Sequence, residues 1–210
     1  MANIKLVIFD YDMTIVDSSE AIMTGMNALA KGKGLRAVTR EEVKRGIALP
    51  LPEAFEDLWG ESDPSWVDYY RQSIVELEYE LIKPYQDTIP TLTELKNSGF
   101  KLAVASNRLR PKEILVKTKL IQYFDDVVGL CDNVAPKPSP EMLNVLMQRF
   151  NVNPNETIYI GDTLIDIETA VSASVRGIGV TTGIYNSEEI LLAGAWKSID
   201  NLWELTECLF

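Results

Sequence analysis

Ile4-Lys5-Leu6-Val7-Ile8-Phe9-Asp10-Tyr11-Asp12-Met13-Thr14 is the stretch whose reading decides the fold. Ile4–Phe9 is short, apolar and rich in β-branched residues, the pattern of a strand buried on both faces in a parallel sheet. Similar runs recur at Lys101–Ala105, Val127–Leu130, Thr157–Ile160 and Gly177–Val180. Helical patterns lie between them. A helix over Asp87–Asn97 has Gly99 placed for a left-handed C-terminus. Pro111 opens another to about Lys119. Ser139-Pro140-Glu141 sets a cap before a Pro at a first helical position, and Asp200 is placed to cap the last helix. Strands alternating with helices predict an α/β fold with a Rossmann-like parallel sheet core.

Residues 15–83 break this rhythm, with no strand pattern. Ser18 or Ser19 can start a helix to about Ala30, Thr39-Arg40-Glu41-Glu42 has the capping-box pattern, and Asp63-Pro64 opens a long helix towards Leu81. The expected organisation is a core of residues 1–14 and 84–210 with an inserted small α-helical domain at 15–83. The insert is unevenly charged: Lys31–Arg45 holds six basic and two acidic residues, whereas Glu53–Glu80 holds nine acidic residues against Arg71. A solvated surface explains that pattern, and so does a basic end turned towards an anionic substrate.

Composition narrows the chemistry. The 210 residues include no histidine, 20 Lys+Arg and 31 Asp+Glu, a formal net charge of −11. Imidazole base catalysis, Ser-His-Asp and Cys-His nucleophile pairs and histidine metal ligands are excluded. Carboxylates with a hard, oxygen-loving cation such as Mg²⁺ remain. A chain this acidic repels nucleic acid. Cys131 and Cys208 read as two reduced thiols of a cytoplasmic protein. The opening apolar run is too short for a signal peptide, and no stretch is long enough to span a membrane.

The apolar runs end in polar clusters: Asp10-Tyr11-Asp12-Met13-Thr14 after the first, Ser106-Asn107 after the second and Gly161-Asp162-Thr163 with Asp166 after the fourth. Lys137 lies between two prolines ahead of the fourth. Open α/β sheets bind ligands beyond the carboxyl ends of their strands, so these clusters form one candidate site. Singly, each has an ordinary explanation as a turn, a cap or a loop lysine. Together, Asp10 and Asp162 offer two hard anionic oxygens for Mg²⁺, and one Asp10 oxygen is placed to attack phosphorus. Asp12 lies on the same side of an extended segment and can protonate a leaving oxygen. A neighbouring carboxylate would raise its pKa and a neighbouring cation would lower it. Lys137 and Ser106 supply a charge and a donor for a phosphate.

These residues resemble the haloacid dehalogenase superfamily of phosphotransferases. The likeness rests on Asp10-x-Asp12-x-Thr14, Ser106, Lys137 and Gly161-Asp162-x-x-x-Asp166, and runs from Ile4 to about Thr181. Lys137-Pro138-Ser139-Pro140-Glu141-Met142-Leu143 and the helical insert look like the phosphoglycolate phosphatase and β-phosphoglucomutase branch, in which the insert is a cap. The resemblance implies Asp10 as nucleophile and Mg²⁺ ligand. It implies Asp12 as acid/base and backbone ligand, Asp162 as second metal carboxylate and Asp166 as its support. Thr14, Ser106 and Asn107 would contact substrate, and Lys137 would hold the nucleophile and phosphate. Arg45-Gly46-Ile47-Ala48-Leu49-Pro50-Leu51 resembles a substrate-reading loop, which makes Arg45 a substrate contact, with Arg108 a second.

The family usually has glycine where this chain has Met13. Either the position needs only its backbone, or Met13 narrows the mouth and slows turnover. The expected function is a Mg²⁺-dependent phosphatase for a small phosphorylated metabolite, acting as monomer or dimer. A hexose phosphomutase would share the aspartyl phosphate, and a non-catalytic binding protein would keep the fold alone.

Overall fold

The structure is a computed structural model that describes residues 4–47, 49–73 and 75–209. Its strands are β1 (Leu6–Phe9), β2 (Val16–Asp17), β3 (Lys83–Pro84), β4 (Lys101–Ala105), β5 (Asp126–Val128), β6 (Thr157–Gly161), β7 (Arg176–Val180) and β8 (Lys197–Ile199). The chain divides into two compact units, Met1–Val16 with Pro84–Phe210, and Asp17–Lys83. Short strands β2 and β3 pair where the chain passes from one unit to the other.

The Asp17–Lys83 unit is helical: α1 (Ser19–Lys33), α2 (Arg40–Gly46), α3 (Leu51–Trp59), α4 (Pro64–Ser73) and α5 (Val75–Leu81). Gly34, at φ 73°, ends α1 in the left-handed conformation that glycine adopts without steric cost. Thr39 and Glu42 form the capping box expected from sequence. The sequence reading did not point to α3, and the helix expected from Asp63-Pro64 towards Leu81 is helical over Pro64–Ser73 and Val75–Leu81, with Ile74 outside the described residues. Ala48 of the loop after α2 lies outside the described residues. The core gathers Met26, Leu29, Val43, Phe55, Trp66 and Tyr70. Phe55 is fully buried, with its ring centroid 5.7 Å from Trp59, 6.1 Å from Trp66 and 6.0 Å from Tyr70.

The larger unit is a parallel sheet in the order β5-β4-β1-β6-β7-β8. It carries α6 (Thr88–Asn97), α7 (Pro111–Lys117), α8 (Glu141–Phe150), α9 (Leu164–Ser172), α10 (Ser187–Leu192) and α11 (Glu204–Leu209). All four β1 residues have zero exposure, as a strand covered on both faces requires. Leu6 and Ile8 share one core cluster with Ala103, Val128, Met142, Leu146 and Tyr159. Gly99 has φ 90°, the left-handed state expected after α6.

Two readings need correction. Asp200 does not cap the last helix: α11 starts at Glu204, and the Asp200 carboxylate accepts from Thr181 Oγ1 at 2.8 Å. Pro140, not Ser139, is the N-cap of α8, although Ser139 Oγ does accept from the Glu141 backbone N–H at 3.3 Å as a cap would. Strand β8 was not anticipated. Among the described residues no helix is long and apolar enough to cross a membrane.

Register places the site. Phe9 is level with Val104 of β4 on one side and Ile160 of β6 on the other. The residues that follow, Asp10, Ala105-Ser106 and Gly161-Asp162, therefore leave the sheet at one height. β1 sits between strands that come later in the chain, so this is the switch point where such sheets bind ligands.

Phe55→Ala should cost about 3–5 kcal/mol, the usual penalty for emptying a packed aromatic site. A lowered urea midpoint with an unchanged slope is the expected record.

Candidate active site

Lys137 is at the centre of the cluster. Its ammonium donates to Asp10 Oδ1 at 2.6 Å, Asp166 Oδ1 at 2.7 Å and the Tyr159 hydroxyl at 3.1 Å. All three of its N–H bonds are thereby committed. Its side chain is 4% exposed. Asn107, expected to touch substrate, accepts from the Lys137 backbone N–H at 2.8 Å and donates to the Lys137 carbonyl at 3.4 Å. This reciprocal pair ties the end of β4 to the loop that carries the lysine.

Asp166 combines a local and a distant task. Thr163 caps α9, and Asp166 completes the capping box by accepting from the Thr163 backbone N–H at 3.1 Å and hydroxyl at 2.6 Å through Oδ2. Its Oδ1 accepts from Lys137 and from Tyr159 at 2.7 Å. The carboxylate is thus saturated by protein donors. Gly161 makes this packing possible: a Cβ there would lie 2.3 Å from Asp166 Cβ. Gly183 serves Asp162 in the same way, since a Cβ at 183 would lie 2.2 Å from Asp162 Oδ2. Neither Tyr159 nor Gly183 was singled out from sequence. The signal for Tyr159 is a lone hydroxyl in the middle of the otherwise apolar run Ile158-Tyr159-Ile160, which a buried strand must satisfy.

Oxygens of Asp10, Asp162 and Asp166 lie within 4.8 Å of one another, all buried. Thr14, expected on the substrate, donates its hydroxyl to Asp162 Oδ1 at 3.2 Å. Ser106 is buried, and its Oγ accepts from the Arg108 backbone N–H at 3.2 Å. Arg108 forms a fork on Asp12, with Nε to Oδ2 and Nη2 to Oδ1, both at 2.8 Å. Met13 has φ 57°, a left-handed conformation that costs a residue with a Cβ roughly 1–2 kcal/mol. The Met13 carbonyl accepts from Thr182 Oγ1, and its buried side chain receives a 3.9 Å contact from the Tyr85 hydroxyl. Arg45 belongs to the other unit, exposed near the end of α2.

Three buried carboxylates face one ammonium, and the titration of the cluster follows. Burial drives Asp10 up. Lys137 opposes this while Asp166 and Asp12 add to it, and the balance leaves Asp10 at about 7. Burial, then the charges of Asp166 and Asp10, push Asp162 well above the carboxylate range. Asp166 is also pushed up by burial, but Lys137, Thr163 and Tyr159 outweigh that and leave it lowered. Burial pulls Lys137 down, yet Asp10 and Asp166 hold it above its ordinary value.

These directions fix a sign. Asp10 and Asp162 bind protons more tightly folded than unfolded, so their contribution to stability is full below the ordinary value of 3.8 and fades as pH rises, for Asp10 through about 7. Asp166 works in reverse and loses its contribution only as pH falls below the ordinary range. With divalent cations chelated, the melting temperature should therefore fall from about pH 5 to about pH 8. Asp10→Asn, which removes one of the strained ionisations, should flatten that slope in the same melting series.

Residues 7–180 match the haloacid dehalogenase-like hydrolase family. A phosphoglycolate phosphatase of Vibrio parahaemolyticus is 30% identical over 222 aligned residues, 98% of this chain and 96% of that one. The pyrophosphatase PpaX of Bacillus velezensis is 29% identical over 189 residues, 89% of this chain and 88% of the other. The crystal structure of a predicted phosphatase from Clostridium acetobutylicum superposes with a TM-score of 0.87 at 27% identity, covering 99% of this chain and 98% of that one. With the family match spanning most of the sheet and all the clustered carboxylates, the chain belongs to the haloacid dehalogenase-like hydrolases.

Proposed function

We propose that the chain is a Mg²⁺-dependent phosphatase of a small phosphorylated metabolite, working through an aspartyl phosphate on Asp10. The observation that carries this reading is the Asp10 carboxylate. It is buried at the end of β1 with one oxygen held by Lys137, beside Asp162 and two residues from Asp12. Its other oxygen takes no hydrogen bond from the described residues, which suits a nucleophile.

The donor set fits Mg²⁺. Asp10 and Asp162 are hard oxygen ligands whose raised proton affinities mark a site short of positive charge. In this reading both carboxylates hold the ion together with the Asp12 carbonyl, and Asp166, saturated by its own donors, supports Lys137. When bound, the ion supplies positive charge opposite the phosphoryl oxygens.

The chain's own residues then divide the work. An Asp10 oxygen forms a bond to phosphorus as the ester oxygen departs, and Asp12 gives that oxygen a proton. Asp12 next takes a proton from water, which attacks the aspartyl phosphate; inorganic phosphate leaves and Asp10 is restored. Lys137 holds Asp10 in line, and Ser106 donates to the phosphoryl group. Asn107 and Thr14 act on Lys137 and Asp162 and so position the site. The Asp17–Lys83 unit is the cap of this reading, with Arg45 as its substrate contact. The phosphoglycolate and pyrophosphate in the relatives' names are the first substrates to try. In both, the group that leaves carries its own negative charge.

Inorganic phosphate should be released from p-nitrophenyl phosphate with Mg²⁺ present. Asp10→Asn should remove that release while the folded circular-dichroism signature stays. Retained turnover in Asp10→Asn would sink the mechanism. Arg45→Ala should raise KM several-fold for the best substrate in a phosphate-ester screen and leave kcat nearly unchanged.

A further inference from the structure

Arg108 has an arrangement that the reaction above does not use. Its guanidinium grips both oxygens of the Asp12 carboxylate through two 2.8 Å hydrogen bonds. The side chains are 15% and 11% exposed. The guanidinium carbon sits 5.7 Å from the centre of the Tyr11 ring, and the Arg108 backbone N–H is on Ser106 Oγ. The fork is therefore held by its anion, an aromatic face and the strand end together. Such forks recognise planar or tetrahedral anions far better than a lysine does.

Charge shows why the fork matters. Lys137 is committed to Asp10, Asp166 and Tyr159. It balances the nucleophile's side of the site. Arg108 pairs instead with Asp12, the carboxylate that meets the leaving oxygen in the phosphatase reading. An ester oxygen within hydrogen-bond reach of Asp12 is next to the guanidinium that grips the same carboxylate. A negative group two or three bonds beyond that oxygen reaches the fork. A partly buried ion pair adds little net stability compared with an apolar pair, so folding alone does not call for this one.

We propose that Arg108 is a specificity-determining residue that selects phosphate esters and anhydrides whose leaving group bears a second negative charge, by moving its fork from Asp12 to that anion. The proposal rests on the phosphatase reading with Asp12 as acid/base. An uncharged leaving group leaves both Asp12 oxygens in the fork. A charged one draws the guanidinium to itself and releases Asp12 to turn towards the ester oxygen. The favourable contact and the release of Asp12 occur together, so the preference is expressed in kcat/KM.

The test compares 2-phosphoglycolate with 2-hydroxyethyl phosphate, a close match that lacks the carboxylate, both with Mg²⁺. Wild type should favour 2-phosphoglycolate by about tenfold or more in kcat/KM, the scale of one charged contact. Arg108→Gln, which keeps donors for Asp12 but no charge, should erase most of that ratio, with the larger loss falling on 2-phosphoglycolate. Arg108→Lys, with charge but no fork, should fall between them and carries the test if Arg108→Gln does not fold. An equal loss on both substrates would show that Arg108 only holds Asp12 and would overturn the proposal. So would a wild type without preference. No turnover of either substrate by wild type would bring down the phosphatase reading itself, whereas turnover with an unchanged ratio in the variants removes Arg108 alone.

Discussion

The ammonium of Lys137, shared between Asp10 and Asp166 inside the protein, is the interaction on which the site depends. An isolated buried charge of either sign is costly, and each member is tolerable only in the presence of the others. The sheet register brings Asp10 to the level of Gly161, the capping box of α9 turns Asp166 inward, and Asn107 fixes the loop that carries the lysine. Among the described residues charge balance is nevertheless incomplete, because three acids, Asp10, Asp162 and Asp166, gather around the ammonium of Lys137. The high proton affinities of Asp10 and Asp162 express that deficit.

Several polar groups act both in the fold and in the site. Asp166 is an ordinary capping residue by its bonds to Thr163 and a lysine clamp by its bond to Lys137. Thr14 is fully buried, yet its hydroxyl faces a metal-site candidate. The structural and functional readings of these residues thus describe different atoms of the same side chain. Asp166 Oδ2 belongs to the helix and Oδ1 to the site.

How much was legible in sequence follows from the range of the forces involved. β1, β4, β6 and β7 were visible because a doubly covered strand writes its burial into a continuous apolar run. The Thr39 and Glu42 box was visible because both partners lie within one helical turn. β8 was not, because Lys197-Ser198-Ile199 is a three-residue edge strand with one fully buried position, too little for any periodicity. Asp200 looked like a cap because acids before helices often are, but Thr181, which holds it, is nineteen residues away. The acids and Lys137 could be listed from their places after strands. Their partners could not, since Asn107 meets Lys137 across thirty residues and Thr14 meets Asp162 across 148. Met13 lies between. The departure from glycine was plain, and the left-handed backbone that makes glycine the usual choice is retained, with methionine bearing the strain.

The lack of histidine has a consequence for control of the proposed reaction. An imidazole base changes charge near neutral pH because of its own chemistry. Here the nucleophile itself is brought to that range, since burial and neighbouring carboxylates place Asp10 at about 7. Lys137, which opposes that rise, already has its three N–H bonds on Asp10, Asp166 and Tyr159. In the proposed reaction Asp10, Asp162 and the Asp12 carbonyl would hold the cation, and its positive charge would favour the ionised form of Asp10. A net charge of −11 draws cations to the chain as a whole, while Lys137 and Arg108 set two positive charges directly against Asp10 and Asp12.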